Sequence, residues 1–183
     1  MMMDTVFDKL LSHEVTVLRP VGGITGDLNV TSVSYEDVYG VAKRARLMPV
    51  RESVDQGILG LFPEATHLLY CGRLDLRAGY RVERELAEGS LAQAAQAGDE
   101  VVQVQAGGGF EQGQIVELSE GGTVEACHVT SVEGDLLSLA SPLANAFGVG
   151  ASVRAVERYR VLGVEDEGGA AHHLRAVLAE VAL

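Results

Sequence analysis

The segment between residues 101 and 156 constrains the fold most, because short runs of β-branched and aliphatic residues alternate there with glycine-containing turns. The runs are VVQVQ, QIVELS, TVEACHVTSV, DLLSLA and ASVRAV, and the connections are GGGFEQG, EGG, EG and SPLANAFGVG. Short Val-rich runs between glycine turns are typical of strands. The segment therefore predicts a compact all-β module, with a tight hairpin at Glu133-Gly134.

The residues before this module predict further strands and little helix. Residues 4–12 place apolar side chains at helical spacing, so we expect one short amphipathic helix at the N-terminus. The Gly/Thr/Ser/Asn-rich stretch 21–34 is either a loop or an extended β-arm. The predicted strands are EVTVLRP (14–20), ended by Pro20, a long run YEDVYGVAKRARLMPV (35–50), THLLYCG (66–72) and, after a turn, the end of DLRAGYRVER (75–84).

Two segments that are distant in the sequence predict a nested domain. GYRVER (79–84) and ERYRVLGV (157–164) have the pattern of neighbouring strands in one small sheet. Between them, residues 85–100 lack β-branched residues and form either a short helix or a polar linker. A long insertion between paired strands costs little, because closure entropy grows only logarithmically with loop length. We therefore predict a mainly β chain in which residues 1–84 and 156–183 form a discontinuous outer domain, and residues 85–155 form an inserted β-module.

The charge balance limits the class of partner. The formal net charge is −12 at pH 7, whereas an electrostatic grip on nucleic acid needs clustered Lys and Arg. One basic group, Lys43, Arg44, Arg46 and Arg51, is a solvated strand face by default and otherwise a contact for DNA or an acidic partner. No stretch approaches the ~18 apolar residues of a membrane span, and we identify no signal peptide.

The cysteines and the glycine-rich loop predict structure rather than chemistry. Cys71 and Cys127 lack CxxC spacing and are expected to be reduced core thiols, with a disulfide as the alternative. GGGF (107–110) lacks a following GK[ST] and is expected to be a turn.

The histidines do not form a recognisable catalytic or metal-binding pattern either. His172 and His173 are adjacent in a predicted strand after the turn EDEGGAA, so their side chains point to opposite faces and cannot readily chelate one ion. Cys127 and His128 diverge for the same reason. We therefore predict no catalytic residue, no cofactor and no metal site.

Four segments carry a resemblance to a known family. They are EVTVLRP with the polar loop after it, SYEDVYGVAKRARLMPV, GLFPEATHLLYCGRLDLRAGYRVER with its D-aliphatic-R-x-G-x-R-V motif, and RYRVLGVEDEGGAAHHLRAVLAEV. In this order and spacing they resemble the head–tail connector proteins of tailed bacteriophages, the head-closure or stopper family. The resemblance omits residues 85–155, where members commonly have only a short turn and where this chain resembles small β-modules of virion proteins.

The resemblance implies a small β-barrel that assembles as a ring in the neck of the virion, after synthesis in the host cytoplasm. Such a ring extends the DNA channel, helps retain the genome and docks the tail. The implied partners are further copies of the chain, the portal or adaptor protein, and the tail terminator or tail tube protein. Packaged DNA would cross the ring without sequence-specific binding, and no membrane is involved. An acidic chain suits such a conduit, because carboxylates repel phosphates.

Two long segments, 21–34 and 51–64, and the basic strand hold the candidate contacts with neighbouring subunits or partners. These candidates are Ile24, Leu28, Val30, Arg44, Arg46, Arg51, Leu59 and Phe62. Two other functions stay open from the sequence: a non-viral β-domain that acts as a binding module, and a small hydrolase. The resemblance carries no catalytic motif, so we expect a structural protein and not an enzyme.

Overall fold

A computed structural model describes residues 9–25, 31–51, 55–106, 109–166 and 174–181, and these residues are mainly β. In chain order the elements are β1 (His13–Thr25), β2 (Thr31–Asp37), β3 (Lys43–Pro49), α1 (Gln56–Leu61), β4 (His67–Cys71), β5 (Arg81–Leu91), β6 (Val101–Ala106), β7 (Ile115–Glu120), β8 (Thr123–Glu133), β9 (Leu136–Leu139), β10 (Ser152–Asp166) and β11 (Leu174–Glu180). The expectation of a mainly β chain is confirmed.

The described residues fall into two compact units. Unit 1 comprises residues 9–84 and 158–181, and unit 2 comprises residues 85–157. Strands β5 and β10 cross this division, so each supplies residues to both units. Whether these units are a connector domain and an insert stays a prediction.

In unit 1 the hydrogen-bonded strand order returns to its starting strand. The neighbours run β1–β3–β4–β11–β10–β5, and β5 pairs again with β1. Strand β2 pairs with the second half of β1, from Leu18↔Asp37 to Thr25↔Thr31. Beyond Leu18, β1 has no other partner among the described pairings, so residues 19–25 and 31–36 form a two-stranded segment that we call the β1–β2 ribbon.

Strand alternation explains the core of unit 1. In β3, Ala45 and Leu47 are buried while their neighbours are exposed or half-buried, as expected when successive side chains point to opposite faces. The main cluster contains Val15, Val17, Ala45, Leu47, Leu69, Cys71, Leu76, Val82, Tyr159, Val161, Ala176 and Leu178. A smaller cluster of Ala65, Leu68 and Val177 packs against Ile58 and Leu59 of α1.

Unit 2 has a second closed set of pairings and its own core. The neighbours run β5–β6–β9–β8–β7–β10, and β10 returns to β5. Phe110 and Phe147 are the aromatic members of a cluster that otherwise holds Val, Leu, Ala and Cys127. Two-residue turns join β7 to β8 and β8 to β9, and Gly134 adopts a positive φ of 62° in the second turn, which suits glycine.

Several sequence predictions are confirmed. The five strands expected between residues 101 and 156 are present, although ASVRAV and RYRVLGV belong to one strand, β10. The hairpin turn falls on Gly134-Asp135, one residue later than expected. The strands at 79–84 and 157–164 are neighbours, and the Val161 N–H donates to the Tyr80 carbonyl at 2.8 Å.

The prediction of a helix or linker over residues 85–100 is wrong for its first half. Strand β5 continues to Leu91 and pairs with β6 through Gly89↔Ala106 and Leu91↔Val104. Ala87 and Leu91 are buried in the core of unit 2. Burial and strand pairing therefore override the weak β propensity of the local sequence.

Two strand boundaries are also wrong. The run 35–50 is not one strand: it bends after Asp37, whose carboxylate accepts a hydrogen bond from the Tyr39 N–H at 2.8 Å, and Gly40 has a φ of 66°. Pro20 does not end β1, which continues to Thr25. Proline is tolerated there because it lies in the ribbon, where only one side of β1 is paired.

Some predictions fall on residues that are not described. The expected N-terminal helix over 4–12 lies mostly outside the described residues, as do His172 and His173. The stretch 21–34 is an extended β-arm where described, at residues 21–25 and 31–34.

Candidate functional site

The predicted basic strand is partly engaged within unit 1. Arg44 and Arg46 lie on the outer face of β3, where they alternate along the strand with the buried residues Ala45 and Leu47. The Arg44 guanidinium donates a hydrogen bond to the Leu11 carbonyl at 2.8 Å. The ammonium of Lys43 lies 4.6 Å from the centre of the Tyr39 ring. Arg46 lines a small apolar cavity of about 170 Å³, whose other lining residues are Leu10, Leu11, Met48 and Tyr70.

The candidates around α1 differ in exposure. Arg51 is exposed, and its backbone N–H donates to the Asp55 carboxylate at 3.0 Å. Leu59 and Phe62 are half-buried against the smaller cluster of unit 1. Leu61, which the sequence did not single out, is 73% exposed. Among the described residues of this segment, Leu61 is therefore more exposed than the two predicted residues.

The candidates in the arm are only partly described. Ile24 lies in the β1–β2 ribbon, with its backbone opposite Ser32. Leu28 and Val30 lie outside the described residues.

A larger cavity, of about 470 Å³, lies in unit 1 at residues that the sequence did not single out. Its lining residues are Tyr35, Arg81, Arg160, Ala179, Glu180 and Val181. We call it the Arg81–Arg160 cavity. The predicted pairing of 79–84 with 157–164, combined with the two-residue period of strands, would have placed these arginines on adjacent strands. No sequence pattern predicted that the ribbon residue Tyr35 and the end of β11 would lie beside these arginines.

The arginines of neighbouring strands are held in different ways. The Arg81 guanidinium carbon lies 3.9 Å from the centre of the Tyr35 ring. Arg160 is 3.4 Å from the Glu64 carboxylate, and both side chains are more than half exposed. In contrast, Arg158 donates to Glu83 at 2.8 Å, with both side chains less than one-fifth exposed. Arg158 is thus part of the packed structure, whereas Arg81 and Arg160 face the cavity.

Both cysteines are buried free thiols, one in each unit. The prediction of core thiols is confirmed, and the alternative of a disulfide is wrong. Burial raises the pKa of Cys71 to about 12. Burial and the nearby Glu125 carboxylate raise the pKa of Cys127. A protonated, buried thiol is a poor nucleophile, and His128 beside Cys127 is exposed.

His13 and His67 take part in structural contacts. The Leu47 N–H donates to Nδ1 of His13 at 2.9 Å. The His67 ring meets Tyr159 edge-on, with ring centres 4.8 Å apart. Over the described ranges, no three His, Cys, Asp or Glu side chains are grouped so that they could hold a metal ion. In the same ranges no helix is long and apolar enough to cross a membrane.

Charge is distributed unevenly along the sequence. Residues 1–84 and 158–183 contain 13 basic and 15 acidic residues, a net charge of −2. Residues 85–157 contain 11 acidic residues and a single basic residue, Arg154, a net charge of −10. Most of the acidity of the chain therefore belongs to unit 2.

No model of a known protein family matches this chain. No curated protein matches it either.

Proposed function

We propose that this chain is a structural subunit of the neck of a tailed bacteriophage, a head–tail connector of the head-closure or stopper kind. Copies of it form a ring between the portal or adaptor protein and the tail. In this proposal the strand cycle of unit 1 is the small β-barrel of the connector domain, and unit 2 is a β-module inserted into it. The ring extends the DNA channel, helps retain the genome and docks the tail.

The β1–β2 ribbon is the observation that carries the proposal. It is paired only with itself among the described strands, and a two-stranded ribbon alone is marginally stable in water. Its open strand edges can add to the sheet of a neighbouring subunit, with backbone hydrogen bonds as the main contact. Ile24 lies in this ribbon, which supports its role as a subunit contact.

The charge of unit 2 supports the role in DNA passage. A surface rich in carboxylates repels the phosphates of a passing duplex, whereas a basic surface would retain them. Unit 2 carries eleven acidic residues against one arginine. In the proposed ring, unit 2 contributes carboxylates to the wall of the channel.

Truncation of the arm tests the proposal. The full chain would be co-expressed with the portal and tail-completion proteins of the same genome, and assemblies would be measured by native mass spectrometry and electron microscopy. We expect a ring on the portal for the unaltered chain and no ring after replacement of residues 22–32 by a short Gly-Ser turn. The control is the melting temperature of the truncated monomer, which should be almost unchanged, since the buried residues described for the core of unit 1 lie outside that stretch.

Two outcomes would contradict the proposal or a part of it. A monodisperse monomer that ignores portal and tail proteins would favour a binding module of another kind. Normal ring formation by the truncated chain would show that the subunit contacts lie elsewhere, in residues 51–64 or in unit 2.

A further inference from the structure

The outer face of β6 and β9 in unit 2 carries exposed apolar side chains beside a small cavity. Val101 and Leu136 are 50% and 41% exposed, and both line a cavity of about 180 Å³. We call these two residues and the cavity the β6–β9 patch. Single exposed apolar residues are ordinary, whereas apolar residues that adjoin a concave surface are typical of interaction sites.

Strand register places the two apolar side chains outside the core. Val102 and Leu137 lie opposite each other in the β6–β9 pairing and are buried. Because successive side chains of a strand point to opposite faces, their neighbours Val101 and Leu136 point outward. The exposure of the patch therefore follows from regular strand geometry, so the surface exists before any partner binds.

We infer that the β6–β9 patch binds a basic segment of a different protein, with one apolar side chain of that segment in the cavity. The cavity is smaller than the roughly 300–1,000 Å³ of ordinary ligand pockets. It therefore suits one aliphatic side chain better than a cofactor. Val101 and Leu136 supply the apolar contact for that side chain.

Carboxylates flank the apolar surface. Asp99 lines the cavity, and its carboxylate accepts a hydrogen bond from the Gln96 N–H at 2.7 Å. Glu133 is exposed and lies opposite Leu136 in the β8–β9 pairing, so the two side chains share one face. No ion pair of Asp99 or Glu133 is present among the described residues. Both carboxylates are thus suited to cations of a partner.

The charge of unit 2 selects a basic occupant. Residues 85–157 have a net charge of −10 and one basic residue, Arg154, which pairs with Glu85 and Glu117. Lys or Arg side chains on either side of an apolar anchor complement this charge. The same charge repels the phosphates of a nucleic acid.

A second copy of the chain fits the patch less well than a different protein does. Its unit 2 has the same negative charge, and arginines of its unit 1 such as Arg158 and Arg175 already pair with carboxylates of their own chain. Ring contacts through the β1–β2 ribbon involve other residues, so they leave the patch free for a different protein.

Calorimetric titration of the full chain with short acetylated peptides tests the site. The probe is the peptide KKLLKK, and the comparison peptides are KKSSKK, which lacks apolar side chains, and EELLEE, which reverses the charge. We expect KKLLKK to bind at low ionic strength. KKSSKK should bind at least about tenfold more weakly, because burial of one aliphatic side chain contributes about that factor or more. EELLEE should not bind, and added salt should weaken the binding of KKLLKK.

Substitution of the apolar residues locates the binding. The double variant Val101→Ser, Leu136→Ser should weaken the binding of KKLLKK by at least about tenfold. The matched control is Val124→Ser, Val149→Ser, at residues of unit 2 that are 58% and 68% exposed and lie outside the cavity. This control should change the affinity less than twofold. Leu136→Ala replaces the double variant if the latter fails to fold, and it should also weaken binding.

Substitution of the carboxylates tests the charge. Asp99→Asn, Glu133→Gln should weaken the binding of KKLLKK by about fivefold at low salt, because each carboxylate loses its attraction for a lysine. The matched control is Glu88→Gln, Glu111→Gln, which removes the same charge from exposed residues of unit 2 outside the cavity. It should change the affinity less than twofold.

Several results would overturn the inference. They are no binding of KKLLKK by the unaltered chain, equal binding of KKSSKK, or equal weakening by a double variant and its control. Sedimentation of the full chain at low salt tests the choice of partner. Self-association that is lost with Val101→Ser, Leu136→Ser would show that a second copy covers the patch instead. These measurements use the isolated chain, so their results do not depend on whether the chain forms a neck ring.

Discussion

Units 1 and 2 are each built on a closed cycle of six strands, yet their acidic residues have different partners. In unit 1 carboxylates pair with arginines, in the pairs Arg19–Glu36, Arg77–Asp75, Arg158–Glu83, Arg160–Glu64 and Arg175–Glu165. In unit 2 Arg154 pairs with Glu85 and Glu117.

Other carboxylates of unit 2, those of Asp99, Glu120 and Glu125, accept hydrogen bonds from backbone amides. Glu125 accepts from the N–H groups of Ala144 and Asn145 at 2.6 and 2.9 Å. Glu120 accepts from the Gly148 N–H at 2.7 Å. These bonds attach the loop after β9 to the hairpin of β7 and β8. The comparison teaches that neutral donors can satisfy carboxylates, so a β-unit can carry a charge near −10 without a matching set of cations.

The deletion of unit 2 is the largest change that we propose, and it tests whether unit 1 folds without unit 2. Deletion of residues 86–156, with Glu85 joined to Glu157 through a short Gly-containing turn, should leave unit 1 folded. The Arg158–Glu83 pair and the Val161–Tyr80 backbone bond both lie outside the deleted residues. A cooperative melt by circular dichroism and slow labelling of Cys71 would show this. An unfolded product with every linker length would contradict independent folding.

Core truncations in each unit should have the next largest effect. Leu69→Ala in unit 1 and Leu137→Ala in unit 2 each remove a fully buried side chain and should cost about 2–5 kcal/mol. Because each unit holds one buried thiol, the labelling rates of Cys71 and Cys127 report opening of each core separately. We expect each truncation to accelerate labelling mainly in its own unit.

The control for these truncations is Val124→Ala, at a residue that is 58% exposed, which should change neither rate. Equal acceleration of both thiols by each truncation would mean that the two cores unfold as one.

Loss of Arg154, the one basic residue of unit 2, should lower the free energy of unfolding more than loss of an exposed arginine of unit 1. Arg154 is 3.1 Å from Glu117, which is only 5% exposed. Arg154→Met removes this partner from a buried carboxylate and should lower the free energy of unfolding by about 1–3 kcal/mol. Adding Glu117→Gln should recover part of the loss. Arg77→Met in unit 1, where the Asp75 pair is exposed, is the matched control and should leave urea unfolding unchanged.

Protonation of Glu125 should have the smallest effect, confined to one loop. Desolvation raises the pKa of Glu125, but the hydrogen bonds from Ala144 and Asn145 together outweigh it, and the net pKa is lowered. Because the pKa of Glu125 is lower in the folded state, its carboxylate stabilises the loop at pH values above the pKa of the unfolded chain, about 4.3. This stabilisation is lost as the pH falls through the pKa of the folded state.

Amide exchange of Ala144 and Asn145, compared between the unaltered chain and Glu125→Gln, measures this effect. The two proteins should differ at neutral pH and converge at acidic pH. A difference that persists with Glu125 fully protonated would show that the carboxylate charge does not hold the loop.

The sequence by itself determined the mainly β class and the positions of most strands. The strands within residues 66–72 and 101–139 could be predicted, because the alternation of apolar and polar residues and the glycine turns are patterns of a few neighbouring residues. The burial of Cys71 and Cys127 follows from the same alternation. The neighbour relation between 79–84 and 157–164 was also predictable from the pattern of the two segments.

Only the tertiary structure decided the features that depend on partners distant in the sequence. Residues 85–91 are a strand because β6 pairs with them and the core of unit 2 buries Ala87 and Leu91. The Arg81–Arg160 cavity requires Tyr35 and the end of β11, which lie far from both arginines in the sequence. Propensity is a property of neighbouring residues, whereas burial, strand pairing and the convergence of side chains are properties of the folded chain.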